Sequence, residues 1–132
     1  MKTLSAFVAG MLVPAFVAPL FMLFLVLQGW GDAILSLPTI YLGPLLWGIW
    51  NVIFIKTRKF LPIPDRTFAI ALFGAGYGLI SALINGLYFE FTSVISTWPD
   101  TLIVVMVVFY PAILYFTWKY VVNAINVLFE VY

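Results

Sequence analysis

The stretch GAGYGLISALING, residues 74–86, puts four glycines into an otherwise apolar segment. Glycine is a poor helix former in water, so the segment needs a reason to be helical. Placed on a helix, Gly74, Gly78, Ala82 and Gly86 recur every four residues and lie close to one face. They form a smooth stripe resembling a glycine zipper. In lipid, where the hydrophobic effect between helices is absent, such a stripe brings backbones into van der Waals contact and drives association. The spacing predicts a contact surface, against another span of this chain, a second copy or another protein.

The rest of the chain supplies the lipid. Of its 132 residues 65% are hydrophobic and 8% charged, with net charge +1. Mean hydropathy is +1.17. Soluble domains carry roughly 25% charged residues, and a crossing of a ~30 Å hydrocarbon core takes roughly 20 apolar residues. Four such runs are visible, at about 4–27, 33–55, 67–88 and 101–121, followed by a tail over 122–132. The expectation is a single all-α integral membrane domain: a four-transmembrane-helix bundle ending in an extended amphipathic helix. A cleaved signal peptide is the competing reading of the first run, but the run is too long for one and Pro19 would follow the cut.

Orientation follows from the bases, because Lys and Arg in short loops stay on the cytoplasmic side. The loop KTRKFLPIPDR carries Lys56, Arg58, Lys59 and Arg66, whereas the segments around Asp32 and from Glu90 to Asp100 carry none. Both termini are therefore expected inside, in the plasma (inner) membrane, and Lys2 and Lys119 agree. The Lys56–Lys59 cluster reads as this orientation signal rather than as a lipid headgroup site. Trp30, Trp98 and Trp118 fall near span ends, where interfacial aromatics are enriched. The segment FTSVISTWPD is expected to lie in the outer interface.

Two features gather at one depth. Pro14, Pro44 and Pro111 each fall 10 or 11 residues from a span end, or ~15–17 Å, near the midplane. Each would remove a helix donor and free the carbonyl four residues earlier, at Gly10, Ile40 and Val107 respectively. Tyr77 lies at the same depth, with Trp47 and Tyr110 nearby. Softened helices at this depth are where transporters build binding sites, although Pro and Gly are ordinary guests of membrane helices. These six residues are the candidate midplane solute or lipid site. Beside the stripe, Tyr77, Ser81, Asn85 and Tyr88 make a polar seam that either bonds across helices for ~0.6 kcal/mol each or lines a polar path; the first is expected of Asn85, close to the outer headgroups, and both stay open for Tyr77.

The acids Asp32, Asp65, Glu90, Asp100 and Glu130 all lie at or beyond span ends. Ion-coupled carriers keep an ionisable residue inside the membrane, and none is placed there. With no His and no Cys, histidine-ligated haem, the usual zinc ligand sets, thiol chemistry and His-based triads are excluded. Asp65 and Arg66 read as a solvated loop pair. GAGYG lies within a span rather than between a strand and a helix, so it is no dinucleotide fingerprint. No catalytic, cofactor or metal site is expected, and no nucleic-acid partner.

In the tail YVVNAINVLFEVY, Asn123, Asn126 and Glu130 share one helical face and apolar residues cover most of the remainder. So apolar an end is expected to dock against lipid headgroups or a partner subunit. The functional expectation is a non-catalytic accessory or assembly subunit of a larger membrane complex, its partners other integral membrane subunits, a second copy or lipids. A small carrier or pore-forming unit for an apolar or lipid-like solute is the alternative.

Overall fold

The computed structural model describes residues 2–29, 41–92 and 100–132, with side chains described outside 86–106. Gly86, Tyr88, Trp30, Trp98 and the FTSVISTWPD segment therefore lie wholly or in part outside the description. The described residues are helical, without strands: α1 is Lys2–Leu27, α2 Gly43–Thr57, α3 Arg66–Thr92, α4 Asp100–Phe116 and α5 Asn123–Leu128. A 3-10 turn, Arg58–Phe60, follows α2, and a π-helical stretch, Thr117–Val122, joins α4 to α5. Among the described residues two helices are long and apolar enough to cross a membrane, Lys2–Leu27 and the Arg66–Asn85 part of α3.

Local chemistry sets the helix ends. Gly29, with φ of 77°, closes α1 in the left-handed conformation that glycine adopts without steric cost. The α2 helix begins at Gly43, with Pro44 in its first turn. This corrects the expectation that Pro44 removes a donor inside a helix and frees Ile40, because a first-turn N–H has no intrahelical acceptor to lose. At 15 residues, or about 22 Å, α2 alone is shorter than the hydrocarbon core. Asp65 caps α3, its Oδ1 accepting from the Thr67 N–H at 2.8 Å. The residue expected to be a solvated loop partner of Arg66 is thus a helix-starting device.

The C-terminal helix ends sooner than its pattern suggested. Val131 N–H donates to the Asn126 carbonyl at 2.9 Å and Glu130 N–H to the Val127 carbonyl at 3.0 Å, with Glu130 at φ 50°. This paired closure around a left-handed residue is a Schellman motif. Glu130 consequently stands outside the helix and does not continue the face of Asn123 and Asn126. The turn folds the chain back so that Val131 is buried.

Contacts divide the chain into two compact units, Met1–Pro62 with Val121–Tyr132, and Ile63–Tyr120. In the first, α1 and α2 pack antiparallel and α5 packs on α1. Its small core of Ala6, Ala9 and Val131 is flanked by Val52, Ile55 and Ile125. In the second, α3 packs antiparallel against α4. Pro111 lies inside α4, six residues before the π-helical stretch begins.

Candidate functional site

The glycine stripe is occupied within the second unit. A Cβ added at Gly74 would fall onto the Trp118 side chain, and one at Gly78 would come 2.8 Å from Pro111 Cα and 3.3 Å from Leu114 Cδ1. Trp118 and Leu114 are buried, as are Tyr77, Ser81 and Ala82 on the same face of α3. The stripe and part of the polar seam are thus brought together against α4, with Leu72, Leu79 and Leu83 exposed on the opposite face. Gly76, lying between the stripe residues, has nothing within 4 Å of an added Cβ. The candidate midplane residues Tyr77, Tyr110 and Pro111 belong to this unit, where Pro111 fills the space left by Gly78.

The first unit carries a second crossing of the same kind, which the sequence reading missed. Gly10 lies against the Trp47 carbonyl oxygen and Asn51 Cβ, where an added Cβ would come within 2.6 and 2.7 Å. Gly48 lies against Phe7, whose ring and carbonyl oxygen would be 2.7–2.9 Å away. The available signal was Ala6, Gly10 and Pro14, spaced by four in the first run. Of the other candidate midplane residues, Pro14 and Trp47 are buried beside this crossing, and Pro14 Cβ approaches the added Cβ position of Gly43 at 3.8 Å. Pro44 is half-buried.

The main polar feature of this unit is a closed amide network. Asn51 and Asn126 are fully buried. Asn51 Nδ2 donates to Asn126 Oδ1 at 2.8 Å and to the Ala6 carbonyl at 2.7 Å. Asn126 Nδ2 donates back to Asn51 Oδ1 at 3.0 Å and to the Tyr132 hydroxyl at 3.4 Å. That hydroxyl donates to Asn123 Oδ1 at 2.9 Å, and Lys2 Nζ reaches the Tyr132 main-chain oxygen at 3.1 Å. All four amide protons of the two buried asparagines are used and both side-chain oxygens accept. Asn51, a lone amide in an apolar run, was the signal overlooked. Of the tail candidates, Asn126 and Asn123 turn inward to this network, while Glu130 is exposed. The outward residues of α5 include Val127 and Leu128.

The network ties α1, α2 and α5 of the first unit together through side-chain hydrogen bonds. In the π-helical stretch that follows α4, Lys119 lies over the rings of Tyr115 and Tyr120, 5.7 and 5.3 Å from their centroids. Phe116 and Tyr120 stack at 6.4 Å. Aromatic and basic side chains grouped in this way suit a membrane interface. The chain matches no known protein family, no curated protein and no solved structure.

Proposed function

We propose that the protein is a four-span, non-catalytic accessory or assembly subunit of a membrane complex, with both termini on the cytoplasmic side of the plasma (inner) membrane. One observation carries this reading: four glycines and two buried amides are used in helix contacts inside the units, and large apolar side chains stand exposed along α1 and α4. Gly10, Gly48, Gly74 and Gly78 accommodate neighbouring helices, and the buried amides bond to one another. Phe16, Leu20 and Phe24 on α1, and Phe109, Ile113 and Phe116 on α4, are exposed. Apolar surface of this extent suits lipid or other membrane subunits. The carrier alternative draws on the proline layer, and the close packing of Pro111 on Gly78 weighs against a solute path there. The test is native mass spectrometry of the particle captured gently from its native membrane. A stoichiometric assembly with other polypeptides is expected, and a lone monomer or homo-oligomer across several detergents would overturn the subunit reading.

A further inference from the structure

An open groove of about 620 Å³ runs between α1 and α2. Apolar side chains, among them Leu4, Phe7, Ile49 and Ile53, line its length, and Thr3 and Lys56 stand among its lining residues. Because the helices are antiparallel, the start of α1 and the end of α2 meet, so both polar residues fall at one end. No carboxylate lines the groove. Its volume falls within the roughly 300–1,000 Å³ typical of small-molecule sites. Ile49 to Lys56 covers about 10 Å of helix.

An apolar trough with one basic end is complementary to an amphiphile with a hydrocarbon chain and an anionic head. We propose that the groove holds an acyl chain of an anionic bilayer phospholipid, whose phosphate lies at Lys56. The inference rests on the four-span reading, in which the second run ends at Ile55 and Lys56 stands at the inner headgroup level. Anionic lipids concentrate in that leaflet, and each Lys near it adds about 1 kcal/mol of attraction. Arg58 and Lys59, two and three residues further on, stand outside the groove's lining, and Lys56 itself is exposed. The basic loop thus has a second use beyond orienting the chain.

The experiment is native mass spectrometry of the purified, delipidated full chain, titrated with phosphatidylglycerol or phosphatidylcholine of identical acyl chains. Expected is one phosphatidylglycerol bound about fivefold more tightly than phosphatidylcholine, the ratio that ~1 kcal/mol supplies. Lys56→Gln should remove the preference and keep weak binding of both lipids, whereas Lys59→Gln should retain it. Ile53→Trp, at a position already 38% exposed, should fill the groove and weaken both lipids. A preference that survives Lys56→Gln, lipid binding unaffected by Ile53→Trp, or a second protein copy that competes with lipid would overturn the proposal. Topology labelling reports separately on the spanning reading, so failure of that reading and failure of the lipid site are distinguishable.

Discussion

Asn51 and Asn126 show how much a single buried amide decides. Each satisfies the other, so removing one strands its partner in an apolar surrounding, at a cost of about 1–3 kcal/mol. Asn51→Ala is expected to destabilise the first unit by that amount, measured by reversible unfolding in detergent micelles. Adding Asn126→Ala should cost little more, because the interaction is already lost. Additive losses in that cycle would argue against the reciprocal pair. Glu130 offers a change of the opposite sign. Its left-handed backbone costs about 1–2 kcal/mol in an L-residue other than glycine, so Glu130→Gly should stabilise the Schellman closure and Glu130→Val should weaken it. The same unfolding assay reads both.

At the scale of the helices, the contacts depend on small residues at two crossings. In α3 the packed face was legible as Gly74, Gly78 and Ala82, since spacing by four defines a face whatever packs on it. Its partner was not legible, because any helix with a suitable surface satisfies the same stripe. The structure supplies Pro111 and Trp118. Gly78→Leu is expected to separate α3 from α4, because the approaching group is Pro111 backbone and has little room to yield. Gly76→Ala, in open space on the same helix, is the matched control and should be neutral or slightly stabilising. The comparison is one of thermal melting in detergent. An unaffected Gly78→Leu protein would contradict the α3–α4 contact. For α2, helix entry at Pro44 was misread from its position in an apolar run, since hydropathy marks a run without marking where its helix begins.

For the molecule as a whole, the decisive property is which of its apolar runs cross a membrane. The natural absence of cysteine makes single-cysteine labelling direct. With four spans, Lys59→Cys should react with an impermeant maleimide only from the cytoplasmic side and Asp32→Cys only from the opposite side. Labelling of both from the same side would mean that the second run does not cross. In either case the outward apolar faces require lipid or protein cover, and the native particle's composition tells which.

By itself, the sequence marked the apolar runs and their helical character. A chain so apolar with so few charges suits lipid-like surroundings, where backbone groups are satisfied only within helices or closed barrels. It also marked one contact face, because helical periodicity is a local property. Tertiary structure alone decided which surfaces meet: Gly10 with α2, Gly78 with Pro111, and Asn51 with Asn126, 75 residues away. Such pairings depend on the directions of neighbouring helices and on the turn at Glu130 that folds Val131 and Tyr132 back. Apolar residues alike in hydropathy carry no label for their partners, so complementarity of shape and of hydrogen bonds selects them only once the helices are in contact.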